Sequence, residues 1–200
     1  MDAKEQSTQI TLRDGRTAIV RPLQPTDAGP LTTFFLNLSE ETRRRYGPHP
    51  FDQATAEHLC ATINERTIRF VAVLNDGTPE AEIIGYMILT REIGDADRRR
   101  YGKRLDLESC ASFAPVIADA YQNQGIGSQM AQHVLRCAQK LGLRQVILMG
   151  GVQATNERAR HFYRKLGFRQ VGSFLTLHPR RLLNYDMILE FDATSQGEAE

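Results

Sequence analysis

An apolar strand, a turn carrying two glycines and the start of a helix follow one another in Val116-Ile-Ala-Asp-Ala-Tyr-Gln-Asn-Gln-Gly-Ile-Gly-Ser128. Gly125 and Gly127 leave their backbone N–H groups with little side-chain cover. A helix from about Ser128 places Met130, Val134, Cys137 and Leu141 on one apolar face. Free N–H groups and the positive end of a helix dipole meet at this turn, which makes it an anion site. It is not a Walker loop, because no G-x-x-x-x-G-K-[ST] occurs. It is not a dinucleotide fingerprint either, because the third glycine position holds Met130. What remains is Q/R-x-x-G-x-G, read as Gln122-Asn-Gln-Gly-Ile-Gly127, or a plain glycine-bearing strand-to-helix turn.

The rest of the chain surrounds this unit with a mixed pattern. Asp14-Gly15 between Ile10–Leu12 and Thr17–Val20 is a hairpin signal. Thr26 or Asp27 caps a helix to about Leu38 with Pro30 in its first turn, and Ser39 caps a short helix holding Arg43-Arg-Arg45. Asp52 starts a third helix with Ala56, Leu59, Cys60 and Ile63 inward. Strands are expected at Ile68–Leu74 and Ile83–Leu89, then a charged loop over 92–104, then one long strand over 105–118. After the glycine turn and its helix, Val146–Met149 is a strand parallel to 105–118 through a helical crossover. A helix from Asn156 to about Leu166 and two strands near 170–177 and 183–190 complete it. This is an α/β chain, an α+β mixed sheet with one parallel crossover in its middle. Two hundred residues suit a single domain, expected over 1–191, with 192–200 a polar, disordered tail.

Composition narrows the function classes. A formal net charge of +1 does not suit a chain built for nucleic acid or an anionic membrane. No apolar run approaches the roughly 20 residues of a membrane span. The polar N-terminus lacks the apolar region of a signal peptide, and three widely spaced cysteines without C-x-x-C suit a reducing cytoplasm. The five histidines show no metal spacing, so no metal is expected.

A second motif lies beyond the turn. Asn156-Glu-Arg-Ala-Arg-His-Phe-Tyr-Arg-Lys-Leu-Gly-Phe168 resembles N-x-x-A-x-x-F-Y-x-x-x-G-F. With Gln122–Gly127 ahead of it at the expected distance, the chain resembles the GNAT family, the GCN5-related N-acetyltransferases. Asp14-Gly15, Val20-Arg-Pro22, Pro25-Thr-Asp27 and Phe34–Ser39 add a weaker likeness to GNAT domains of bacterial protein-lysine acetyltransferases. The resemblance implies the GNAT acyl-CoA N-acyltransferase fold with splayed central parallel strands. It implies acetyl-CoA as co-substrate and direct attack by an amine acceptor in a ternary complex.

By the same resemblance, pantetheine runs along the backbone of residues 114–118, with Val116, Ile117 and Ala118 as lining residues. Pro115, lacking an N–H, sits where a ladder is already broken. The pyrophosphate lies on the N–H groups of Gln122, Asn123, Gln124, Gly125, Ile126, Gly127 and Ser128. Asn123 stands where many relatives carry glycine, and asparagine tolerates a left-handed backbone well. Asn156 matches the position that holds the cofactor arm, and is equally explained as a helix N-cap. Tyr163 matches the general acid that protonates the leaving thiolate.

The base departs from the pattern. Many relatives carry a glutamate ten residues before the Gln of the loop, and here that position is Ser112. Serine can position a water at most. Glu108 has the parity of Ser112 if the strand runs unbroken, but lies about 13 Å along it. Cys110 between them has no paired histidine to make it a nucleophile. His133 and His161 read as helix-surface residues, while His49 and His178 lie in loops that could line the acceptor site. Arg43–Arg45, Arg98–Arg100 and Arg180-Arg181 read as mostly solvated faces. The missing glutamate keeps a rival open, a non-catalytic acyl-CoA-binding or sensing module of the same fold. Acceptor identity and a possible homodimer stay open as well.

Overall fold

The computed structural model describes residues 6–177 and 181–191. The expected tail at 192–200, His178 and Arg180 lie outside the described residues. Among those residues are nine strands of mixed direction and six α-helices. The chain forms two compact units, one running up to Thr90 and resuming over Ala114–Leu135, the other holding Arg91–Phe113 and continuing from Arg136.

In the first unit, β1 (Thr8–Thr11) and β2 (Thr17–Pro22) form the expected hairpin, and β3 (Thr67–Leu74) and β4 (Glu82–Thr90) extend it antiparallel. The latter half of β5 (Cys110–Ile117) lies beside β4, and the Ala118 N–H closes on the Ile84 carbonyl at 2.9 Å. Helices α1 (Ala28–Asn37), α2 (Glu40–Arg45) and α3 (Gln53–Ala61) connect β2 to β3. Their starts follow local chemistry: Ser39 accepts from the Thr42 N–H at 3.2 Å and Asp52 from the Thr55 N–H at 2.8 Å. Ile63 falls beyond the end of α3 and is 47% exposed, so it is not an inward residue. One sheet face packs on α5 (Ile126–Lys140), where Gly85 matters: a Cβ there would lie 2.9 Å from Ile117 Cδ1 and 3.0 Å from Met130 Sδ. The opposite face carries Phe34, Phe35 and Tyr86 in mutual ring contact.

The second unit holds α4 (Asp95–Tyr101), the first half of β5, β6 (Gln145–Leu148), β7 (Val152–Gln153), α6 (Glu157–Lys165), β8 (Arg169–Thr176) and β9 (Leu182–Glu190). β5 and β6 run parallel, as the crossover requires; β6, β7 and β8 all pair antiparallel with β9. Its core joins Ile93, Tyr101, Cys110, Ile147 and Ile188, with Leu105 and Val171 against them.

Two expectations are corrected in this unit. The loop over 92–104 contains α4, with acidic Asp95 and Asp97 in its first turn and Arg98–Arg100 in its last, a charge order that favours a helix without an apolar stripe. The long strand begins at Cys110 rather than 105, because Asp106 folds the preceding residues into a turn. It accepts from the Ser109 hydroxyl at 2.7 Å, and its carbonyl accepts from the Ser109 N–H at 3.1 Å.

Candidate active site

The glycine turn is built from the end of β5. Ala118 through Tyr121 turn once, the Tyr121 N–H closing on the Ala118 carbonyl at 2.8 Å. Asn123 and Gly125 then take left-handed conformations, with φ of 61° and 84°. Asparagine therefore serves at 123 in the way anticipated, and Gly125 needs its freedom from a Cβ. The Gly125 carbonyl already accepts from the Gln129 N–H at 3.2 Å, so α5 begins at Ile126, two residues earlier than periodicity suggested. Gly127 and Ser128 thus sit inside the first helical turn. Among the described residues, the N–H groups of Asn123, Gln124, Gly125, Ile126, Gly127 and Ser128 find no acceptor. Six successive unengaged donors beside a helix N-terminus form an anion-binding surface.

Side chains hold this turn in place. Gln122 donates through Nε2 to the Ile117 carbonyl at 3.1 Å and also faces Asp119 Oδ1 and Thr42 Oγ1. Asp119 accepts from the Ser39 N–H at 2.8 Å, the Ser39 hydroxyl at 2.9 Å and the Thr42 hydroxyl at 2.6 Å. Partial burial opposes its charge, but these donors outweigh that and lower its pKa. Gln124 braces the turn through the Ala120 carbonyl at 3.1 Å. Ile126 and Val116 are buried, and Ile117 turns its side chain toward Gly85 in the core. The Ala114 carbonyl accepts from the Tyr46 hydroxyl at 3.2 Å.

In the second unit, the β5–β6 ladder runs from Cys110↔Gln145 to Phe113↔Leu148 and stops there, one residue before Ala114-Pro115. Phe113 stacks on Phe168 at 6.4 Å between centroids, and Phe168 meets the Tyr163 ring edge-on at 5.6 Å. Tyr163 is thereby held close to the end of that ladder. Its hydroxyl has no partner among the described residues, and burial raises its pKa, which keeps it a protonated O–H donor at neutral pH. Asn156 caps α6, its Oδ1 accepting from the Ala159 N–H at 3.2 Å.

The base candidates fare differently. Ser112 is 1% exposed and its Oγ has no partner among the described residues. Glu108 is exposed and lies in the turn before β5, so the strand parity that linked it to Ser112 does not hold. Cys110 is buried in the core, and desolvation pushes its thiol up to about 12, the opposite of a nucleophile's requirement. The sequence reading missed Asp186. Register places Ser112 beside Ile147 and Ile147 beside Ile188, so Asp186, two residues from Ile188, projects from the same sheet face as Ser112. Asp186 accepts from Arg100 Nε at 3.0 Å, Arg100 also pairs with Asp97, and burial raises the Asp186 pKa despite Arg100.

Other side chains also moved from their expected places. His133 is not a surface residue: it is buried, bonded to the Gln6 carbonyl at 2.7 Å and edge-on to Phe70. His161 is exposed. Arg100 and Arg43 are not solvated: Arg100 lies 3.8 Å over the Phe174 ring, and Arg43 donates to the Phe35 and Leu36 carbonyls at the end of α1. Among the described residues, no helix is long and apolar enough to cross a membrane.

A family model described as an acetyltransferase (GNAT) domain matches residues 18–169. Among solved structures, the GNAT domain of S. lividans PAT aligns with a TM-score of 0.71 at 20% identity, covering 96% of this chain and 100% of that one. A GNAT-family acetyltransferase from Streptococcus pneumoniae aligns at 0.67 and 24% identity, covering 88% and 99%. The ribosomal-protein-S5-alanine acetyltransferase from Vibrio fischeri aligns at 0.72 and 15% identity, covering 93% and 98%. At these identities the likeness is one of fold. Curated protein sequences yield no match.

Proposed function

Because this chain belongs to the GNAT acetyltransferase family, whose members pass an acyl group from acyl-CoA to an amine, we propose that it is an N-acetyltransferase using acetyl-CoA and a primary amine. The observation that carries this reading is the run of six unengaged N–H groups from Asn123 to Ser128. A diphosphate presents several anionic oxygens at the spacing of successive backbone donors, and the helix dipole adds to the attraction. Acetyl-CoA supplies an activated thioester. The backbone of Ala114 to Ala118 would align its pantetheine arm, and Asn156 would meet the arm in addition to capping α6.

Two proton transfers then fall to side chains. The acceptor is an ammonium at neutral pH, near pKa 10 for a lysine-like amine, and must lose a proton before its nitrogen can attack. Solvent or a carboxylate on the Ser112 face takes that proton, and Asp186 is the candidate there. As the new C–N bond forms and the C–S bond breaks, Tyr163 gives its O–H proton to the departing thiolate. On that face Ser112, whose enclosed Oγ has no partner among the described residues, would position a water, while exposed Glu108 has no part in the scheme. Because β5 and α5 each run through both compact units, we read 1–191 as one functional domain. The place of action we propose is the cytoplasm.

A second reading, an acyl-CoA sensor without turnover, draws on the absence of a carboxylate at Ser112. Titration with acetyl-CoA, followed by thiol release against a panel of amines and lysine peptides, separates the two. Saturable binding with acceptor-dependent thiol release supports the enzyme; binding with no release on any acceptor supports the sensor; no binding overturns both.

A further inference from the structure

Arg69 of β3 is a cation without a counter-ion among the described residues. Its Nε is fully enclosed and has no acceptor, and no carboxylate among the described residues pairs with its guanidinium. A guanidinium carries five N–H donors in a planar fork matched to a carboxylate, and the half-buried Arg69 side chain leaves part of that fork accessible. The register Arg69↔Ile88 and Val71↔Tyr86 puts Arg69 and Tyr86 on one sheet face as diagonal neighbours. There the guanidinium faces the Tyr86 hydroxyl and the His49 ring. Desolvation lowers the His49 pKa, so this ring adds no competing positive charge at neutral pH. Asp27 and Asp52, whose charges reach Cys60 and His49, are engaged elsewhere: Asp27 is held by Arg21, and Asp52 caps α3.

Beside this cation is an aromatic enclosure whose outer members are half-buried. Tyr86 and Phe35 are fully buried and meet edge-on at 5.5 Å. His49, Phe51 and Tyr46 are half-buried, with His49 Nε2 3.2 Å from the Tyr86 hydroxyl and Tyr46 stacked on Phe51 at 5.9 Å. The Tyr46 hydroxyl reaches the Ala114 carbonyl on the half of β5 assigned to the thioester arm. The enclosure therefore adjoins the strand along which acyl transfer would occur.

We infer that Arg69 is the receptor for a carboxylate on the acceptor, so that the amine taken is of amino-acid type, with its anionic oxygens on the Arg69 guanidinium and its carbon skeleton against the half-buried Phe51 and Tyr46. This rests on the acetyltransferase reading and adds the substrate class. A polyamine or an uncharged amine would leave Arg69 unanswered and bring a second cation toward it.

The test pairs each of several amino acids with its decarboxylated amine, measured on the CoA-saturated protein by calorimetry and, with acetyl-CoA, by thiol release. The amino acid is expected to bind at least about tenfold more tightly than its amine, with Arg69→Gln bringing the ratio close to one and Arg69→Lys retaining part of it. Unfolding midpoints of both variants confirm that they fold. Equal binding of the two members of each pair, or a ratio unmoved by Arg69→Gln, overturns the inference whether or not turnover is seen. Amino-acid binding without thiol release would sustain Arg69 as the receptor and count instead against the acetyltransferase reading.

Discussion

Gln122 donates through Nε2 to the Ile117 carbonyl at 3.1 Å and so ties the anion turn to the strand that enters it. The same amide faces Asp119 and Thr42, so one uncharged side chain joins β5, the turn and α2. Gln122→Ala removes that brace without removing any of the free N–H groups. Acetyl-CoA affinity should fall by about 3- to 10-fold, the equivalent of one net hydrogen bond of roughly 0.5–1.5 kcal/mol, as read by calorimetry. An unchanged affinity would mean that the turn keeps its shape unaided.

Tyr163→Phe keeps the edge-on contacts with Phe162 and Phe168 and deletes the hydroxyl alone. Thiol release should drop about 100-fold in kcat, at the low end of what a positioned acid supplies, while the unfolding midpoint stays close to that of the parent. A variant of full activity would remove Tyr163 from the chemistry and leave it as a packing residue.

Asp186 carries a pKa raised by burial, with Arg100 beside it pulling the other way. A base must be deprotonated, so kcat/KM should rise with pH through that elevated value on its acid limb. Asp186→Asn keeps a hydrogen-bonding group beside Arg100 but cannot take a proton. It should flatten the acid limb and lower kcat/KM by about 100-fold. A variant that keeps the parent's acid limb assigns the proton to solvent.

Asp27 and Arg21 form a buried, doubly bonded pair at 2.8 and 2.9 Å, and Asp76 holds the other side of the guanidinium. Burial opposes the Arg21 charge, but the two carboxylates outweigh it and raise its pKa. Asp27→Ala leaves a buried cation with one partner and frees the Gln24 N–H, which Asp27 accepts at 2.7 Å. Urea unfolding should register a loss of about 3 kcal/mol, near the lower end of the range for breaking such a pair because Asp76 remains. Acetyl-CoA binding at temperatures where the variant is folded should change little.

His49 gives the molecule an acid-side weakness. Desolvation lowers its pKa below the ordinary value of about 6.5, so the unfolded chain takes up its proton at a higher pH than the folded one. Its contribution is present above pH 6.5 or so and is lost as pH falls toward the folded value. His49→Gln should make the unfolding midpoint less dependent on pH below about 6.5. A curve that parallels the parent's would place the titration elsewhere.

Much of this molecule was legible in local sequence. Ser39, Asp52 and Asn156 cap helices because a short polar side chain reaches an N–H two or three residues on, an interaction that needs no distant partner. Asn123 and Gly125 take the left-handed turn for an equally local reason. Element order and the spacing of the two motifs pointed to the family without a contact being known. The limits of pattern reading appear at Glu108 and at α4. Strand parity presumes an unbroken strand, and the Asp106–Ser109 turn breaks it; α4 is a charged helix, and apolar periodicity has nothing to detect in it.

Chain chemistry alone thus determined where donors would gather at the start of α5 and which tyrosine would follow them. Tertiary structure decided everything that depends on residues far apart in the chain. Asp119 became the clamp of the turn only because Ser39 and Thr42, about eighty positions away, come to it. Asp186 shares a face with Ser112 through the register of three strands, and among the described residues Arg69 is left without a counter-ion because Asp27 and Asp52 are engaged elsewhere. Burial and charge balance are sums over neighbours that folding brings together, and no window of the sequence contains them.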